Sequence, residues 1–169
     1  MTAGSSIDAA GQAGPVKVLF VCLGNICRSP TAHGVFETLV RRRGLGEHIQ
    51  VDSCGTGDWH IGHPPDRRAQ AAARRRGYAL EHLRARQVVS GDFERFDYIL
   101  AMDRKNLAEL RALAPTAFAG HLGLFLDAGG KSNSEVPDPY YGDDDGFDHV
   151  LDLVEQASDA LLEQILAAR

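Results

Sequence analysis

Cysteine, methionine and tryptophan are scarce in this chain, at three, two and one of 169 residues. Three cysteines do not make a disulfide framework, which excludes the small stapled domains of secreted proteins and points to a reducing compartment. Long apolar runs are missing too. None approaches the roughly 18 residues that a membrane-spanning helix needs, so no membrane association is expected. An excess of positive charge is also absent. Lys and Arg number 18 against 23 Asp and Glu, a formal net charge of −5, which argues against nucleic acid or an anionic membrane as main partner. The first fourteen residues, "MTAGSSIDAAGQAG", lack the basic and apolar regions of a signal peptide. They read as a disordered tail over 1–14 before one domain over 15–169, and a cytoplasmic location is expected. With 44% hydrophobic and 24% charged residues, that domain is large enough to bury a real core.

What is present alternates between two periodicities. Val16 to Val21 is apolar and β-branched, as a strand buried on both faces would be. From Ser29 to Arg43 the spacing is helical, with Val35, Phe36, Leu39 and Val40 on one face. Ser29-Pro30 reads as its start, a hydroxyl cap followed by proline at the first helical position. A second strand is expected over Ile49–Ser53, a helix over Asp66–Arg76 stopped at Gly77, and a third strand over Asp97–Met102. Then come a helix over Asn106–Ala114 ended by Pro115, a fourth strand over Leu122–Leu126, and a long amphipathic helix over Phe147–Ala168. Alternating strands and helices predict an α/β fold, a four-stranded parallel sheet with helices on both faces in three layers and flavodoxin-like topology. In such sheets ligands bind beyond the carboxyl ends of the strands.

At that place stands "VLFVCLGNICRSP". The loop after the first strand runs into a helix N-terminus, where free backbone N–H groups and the helix dipole attract an anion. Gly24 permits close backbone approach, and Arg28 offers a planar fork suited to phosphate. Cys22 faces the same positive pocket, which favours a thiolate. A thiolate beside bound phosphate suggests attack on phosphorus and a phosphocysteine intermediate. The segment lacks the Gly-Lys-Ser/Thr ending of a Walker loop and the three glycines of a dinucleotide loop. A phenolic leaving group needs a proton, and "EVPDPYYGDDDGF" supplies a candidate acid in Asp138. The "DDD" at 143–145 reads instead as a solvated loop before the last helix. His60 and His63 in "WHIGH" have metal-ligand spacing but no cysteine or acidic partner at suitable spacing, so no metal is expected. The arginine-rich "RRAQAAARRR" lacks interleaved aromatics and reads as a solvated face rather than a nucleic-acid site.

Taken together, "VLFVCLGNICRSP", "DSCGTGDWHIG", "ARQV" with "DYILAMD", and "DPYYG" stand in the order of the low-molecular-weight protein tyrosine phosphatase family, which the chain strongly resembles from Val16 onward. The resemblance implies a phosphatase domain that needs no cofactor or metal. It implies Cys22 as nucleophile, Arg28 as phosphate clamp and Asp138 as general acid, then base. Leu23, Gly24, Asn25, Ile26, Cys27, Arg28 and Ser29 would form the phosphate-binding loop, with Asn25 and Ser29 orienting it. Trp59, Tyr140 and Tyr141 match the walls of the substrate cleft, a deep aromatic slot that would favour phosphotyrosine over phosphoserine. The partner implied is a tyrosine-phosphorylated protein, with a monomer expected. The family usually has alanine where this chain has Cys54, and many members carry a histidine near the place of Leu83; His82 is given no role. The alternatives are a thiol-dependent arsenate reductase of the same fold, which needs cysteines downstream of Cys54 that this chain lacks, and a phosphoprotein-binding module without turnover. Cys27 fills space beneath the loop, or traps oxidised Cys22 as a disulfide.

Overall fold

The computed structural model describes residues 14–129 and 134–168. Of the tail expected over 1–14, only Gly14 falls among them. The chain runs β1 (Val16–Cys22), α1 (Arg28–Arg42), β2 (Ile49–Gly55), α2 (Arg67–Arg75), α3 (Asp92–Arg95), β3 (Tyr98–Ala101), α4 (Arg104–Leu113), β4 (His121–Leu124), a 3-10 helix (Phe125–Gly129) and α5 (Asp145–Ala167). The strands form one sheet in the order β2-β1-β3-β4, and every pairing is parallel.

Strand β1 is central, so both of its faces must be apolar, and strand alternation divides its residues between two cores. Val18 and Phe20 point to the side covered by α1, α2 and α5, where Val35, Phe36, Ala72, Leu151 and Leu161 pack. Phe20 meets Phe36 and Phe125 edge-on, at ring separations of 5.7 and 4.9 Å. Leu19 and Val21 point to the other side, among Phe93, Leu107 and Leu110 of α3 and α4. The helices therefore lie on both faces, as the alternation of periodicities implied. The order of connection reverses between β1 and β3, with β2 added on one side and β3 and β4 on the other, so the carboxyl end of β1 opens onto a crevice.

Local starts and stops follow ordinary chemistry. Asp66 caps α2 by accepting from Arg68 N–H at 2.8 Å, and Gly77 supplies the positive φ (88°) that ends its turn. The expected hydroxyl cap of α1 is corrected. The helix begins one residue earlier, at Arg28, with Cys27 before it and no side-chain cap bond. Ser29 faces inward to Cys22 instead. Pro30 remains within the first turn, where its missing N–H has no partner to lose.

The strand expected over Leu122–Leu126 ends at Leu124, the last residue opposite β3. The chain then tightens into the 3-10 helix, which turns Phe125 and Leu126 into the core. Helix α3 has no counterpart among the expected elements. It forms around Asp92, fully buried, whose carboxylate takes bonds from Val89 N–H, Arg86 and Arg95.

Candidate active site

The loop between β1 and α1 is built by strain that is locally compensated. Asn25 has φ +57°, a left-handed conformation that asparagine tolerates better than most residues. Its amide donates to Ser29 Oγ at 2.7 Å, and its Oδ1 accepts from the Arg86 backbone N–H at 3.0 Å. With the side chain held at both ends, its own N–H is brought to 3.3 Å from Cys22 Sγ. Ser29 Oγ lies 3.0 Å from the same sulfur and 3.2 Å from the Cys54 carbonyl. Because Asn25 donates to that hydroxyl, its one proton is left to the two acceptors on its other side, the Cys54 carbonyl and the Cys22 sulfur.

The loop rests on the end of β2. Thr56 N–H donates to the Cys22 carbonyl and Gly57 N–H to that of Leu23. Gly55 lies directly beneath. A Cβ there would stand 2.6 Å from the Leu23 carbonyl oxygen and 3.2 Å from Asn25 N, both backbone atoms. A side chain at 57 would run into the Trp59 ring. These contacts explain the glycines of "CGTG". Gly55→Ala is expected to weaken inorganic phosphate binding by about tenfold or more through loop displacement, measured by calorimetric titration. Unchanged affinity would show that the loop has room to move.

Arg28 opens α1 with only 4% of its side chain exposed. One terminal nitrogen donates to Asp103 at 2.7 Å and to the Val136 carbonyl at 3.1 Å. The other lies 3.8 Å from Asp138 Oδ2. Burial alone would lower its pKa, but Cys22 and Asp103 outweigh that and raise it further. Asp103 closes the carboxyl end of β3 and accepts from Asn106 N–H as cap of α4, so one carboxylate both starts a helix and fixes the Arg28 guanidinium. Asp138 is part-exposed and takes the Tyr140 N–H at 3.0 Å.

These groups converge on a cleft of about 370 Å³. Its lining includes Cys22, Leu23, Gly24, Ile26, Cys27 and Arg28 of the loop, together with Trp59, His60, Asp138, Tyr140 and Tyr141. Asn25 and Ser29 stand just behind, buried. Every residue expected at the site is therefore in or against one crevice. Trp59 and Tyr141 are 66% and 92% exposed, so the outer walls are open and have much apolar surface left to bury on a ligand.

Sequence reasoning missed Asp103, the Val136 carbonyl and the role of His60. A carboxylate at the carboxyl end of the strand beside β1 was the available signal for Asp103. His60 places its ring against Gly24 and 5.8 Å from that of His63. Among the described residues, no group of three or more His, Cys, Asp or Glu is arranged to hold a metal. Leu83 packs against the main core, and the contact to Asn25 comes from the Arg86 backbone. Arg86 is itself locked to Asp52 and the buried Asp92. Cys54 pairs with Val21 in the sheet register and lies in the core on the face opposite Cys22.

The family model for low molecular weight phosphotyrosine protein phosphatase matches residues 17–169. The low molecular weight protein-tyrosine-phosphatase YfkJ of Bacillus subtilis is 43% identical over 151 residues, which is 89% of this chain and 96% of that protein. The crystal structure of a protein tyrosine phosphatase from Entamoeba histolytica, with Hepes in its active site, superposes with a TM-score of 0.86 at 40% identity, covering 90% of this chain and 98% of that one. A Drosophila arginine phosphatase superposes with a TM-score of 0.83 at 34% identity, over 89% and 98% of the two chains. With a matching model from Lys17 onward and relatives this similar along almost its whole length, the chain belongs to the low molecular weight phosphotyrosine protein phosphatase family.

Proposed function

We propose that this protein-tyrosine phosphatase turns over through a phosphocysteine on Cys22, with Arg28 holding the phosphoryl group and Asp138 passing the proton. The observation that carries the reading is the convergence of a buried sulfur, a buried guanidinium and a half-exposed carboxylate on one cleft. In the first step the thiolate of Cys22 forms an S–P bond as the P–O bond to the tyrosine oxygen breaks. Asp138 gives its proton to that oxygen, so phenol leaves rather than phenoxide. In the second step Asp138, now a carboxylate, takes a proton from water, whose oxygen attacks phosphorus. The S–P bond breaks and phosphate departs. Cys22 is then the leaving group, and the Ser29 hydroxyl at 3.0 Å donates to the returning anion. Loop amides and Arg28 stabilise the equatorial oxygens throughout.

The cleft favours an aryl ester. Trp59, Tyr140, Tyr141 and Ile26 present apolar faces, and Asp138 is the one carboxylate among the described lining residues. That leaves little to receive the guanidinium of a phosphoarginine. A tyrosine-phosphorylated protein as partner and a reaction without cofactor fit this chemistry. No helix of the described residues is long and apolar enough to cross a membrane.

The test is hydrolysis of a phosphotyrosine peptide and p-nitrophenyl phosphate in EDTA, beside arsenate reduction with a thiol donor. Turnover of both esters without arsenate reduction is expected. Arsenate reduction, or phosphate binding with no turnover, would overturn the reading in favour of a reductase or a binding module.

Cys27 lines the same cleft as Cys22, while Cys54 lies across the sheet. Peroxide would convert the Cys22 thiolate to a sulfenic acid, and the Cys27 thiol would condense with it to a disulfide, releasing water. Burial, and then Asp66, push the Cys27 thiol well above its ordinary pKa, so this closure should be slow and speed up with rising pH. Mild peroxide is expected to inactivate the enzyme and dithiothreitol to restore it. Peptide mapping should find a Cys22–Cys27 crosslink, and Cys27→Ser should accumulate over-oxidised Cys22. Full recovery of Cys27→Ser would remove Cys27 from this role.

A further inference from the structure

The reacting groups sit on two segments far apart in sequence, the loop at 22–29 and the acid segment at 135–142. The acid segment has no regular structure beyond a turn, so its position depends on side contacts. Its upstream end is tied to the sheet: Val136 N–H donates to the Met102 carbonyl at 2.8 Å, and Glu135 accepts from Arg104 N–H at 2.8 Å. Its downstream end is held by Arg68, on the first turn of α2. One terminal nitrogen of Arg68 donates to the Tyr140 carbonyl at 3.0 Å and to Asp66 Oδ2 at 3.1 Å, while Nε reaches Asp66 Oδ1 at 3.1 Å. The guanidinium carbon stands 5.5 Å from the centre of the Tyr140 ring and 4.8 Å from that of the buried Phe147. Asp66 in turn donates its backbone N–H to the Ile26 carbonyl at 2.8 Å. One planar side chain therefore bridges the phosphate loop, through Asp66, and the aromatic wall at Tyr140. It does so from outside the cleft lining.

We propose that Arg68 is a positioning residue for recognition of the substrate ring, setting Tyr140 and the downstream acid segment against the phosphate loop. This rests on the phosphotyrosine reading above. The geometry separates two consequences. The Asp66–Ile26 bond is between backbone atoms and survives any change at 68, so the phosphate subsite keeps its shape. Tyr140 loses both its carbonyl anchor and its cation–π contact, so the wall that a phenyl ring would pack on becomes loose. Lysine cannot replace arginine here, because a point charge neither bridges Asp66 bidentately nor stacks on two rings.

Steady-state kinetics of Arg68→Ala and Arg68→Lys test the proposal, with Arg67→Ala, an exposed neighbour, as control. KM for phosphotyrosine and p-nitrophenyl phosphate is expected to rise about tenfold in both Arg68 variants. The inhibition constant of inorganic phosphate should stay within about twofold, and Arg67→Ala should match wild type. In a Tyr140→Ala background, adding Arg68→Ala should raise KM by less than about twofold, since the group it positions is gone. Thermal melts of each variant report folding, and the lysine variant is the milder change if the alanine variant unfolds. An unchanged KM, a parallel loss of phosphate affinity, or full additivity with Tyr140→Ala would overturn the role. A wild type inactive on phosphotyrosine peptides overturns the underlying reading, and this proposal falls with it; an active wild type with unaltered Arg68 variants rejects the proposal alone.

Discussion

Serine in place of Cys22 is expected to lower kcat by about 10⁴-fold or more, while inorganic phosphate still binds. The two halves of this result have separate origins. The hydroxyl of serine does not ionise under conditions where a thiolate forms, and Ser29 and Asn25 N–H, at 3.0 and 3.3 Å from the sulfur, are set for a sulfur anion rather than an alkoxide. In the proposed mechanism anion binding depends on Arg28 and the loop backbone, which the substitution leaves in place. Stopped assays with phosphotyrosine peptide and calorimetry with phosphate measure the two. Turnover within about tenfold of wild type would rule out attack by this sulfur.

Asp138→Asn is expected to slow phosphotyrosine cleavage by about 10²–10³-fold, the usual worth of a positioned proton donor. The size of the loss should depend on the leaving group. Tyrosine, with a phenol pKa near 10, needs the proton as its bond to phosphorus breaks. Esters of more acidic phenols should lose far less in the burst phase, because their oxygen departs as an anion unaided. An equal loss across a leaving-group series would take the acid role from Asp138. Its side chain, 42% exposed, reaches both the cleft and the solvent that supplies the water of the second step. Asparagine keeps the acceptor for Tyr140 N–H, so the segment should hold its shape and the loss should be one of proton transfer.

What the sequence made legible was what is local. The apolar β1, the loop behind it and the helical spacing of α1 are adjacent in the chain, so their chemistry could be read as one motif. The division of the core also followed from pattern, since Leu19 and Val21 alternate with Val18 and Phe20 whatever packs on them. The misreadings share a different cause. Ser29-Pro30 has the look of a helix cap, but the demand of a buried sulfur and of the strained Asn25 for a hydroxyl outweighed capping, and the helix started at Arg28 instead. Leu122–Leu126 looked like one strand because a 3-10 turn buries apolar residues as well as a strand does. Asp103, Val136 and Arg68 contact partners 75, 108 and 72 residues away, and no spacing rule carries that information. No local pattern marks Asp92 for burial either; its ion pairs with Arg86 and Arg95 allow it to be completely buried. Burial alone would raise its pKa, but hydrogen bonds from Arg86 and the Val89 N–H reverse the shift and hold it below the usual carboxylate range.

The covalent step is the centre of the proposed mechanism, and trapping it is the most direct measurement. Wild-type enzyme mixed with a phosphotyrosine peptide and quenched in acid within milliseconds should carry phosphate on one peptide, the one containing Cys22. Mapping by fragmentation should place it on that sulfur. The label should appear at the burst rate, vanish on chase with unlabelled substrate, and build to a higher level in Asp138→Asn with an activated ester, where water attack lacks its base. Phosphate released with no enzyme-bound label, or label on any residue other than Cys22, would contradict the mechanism.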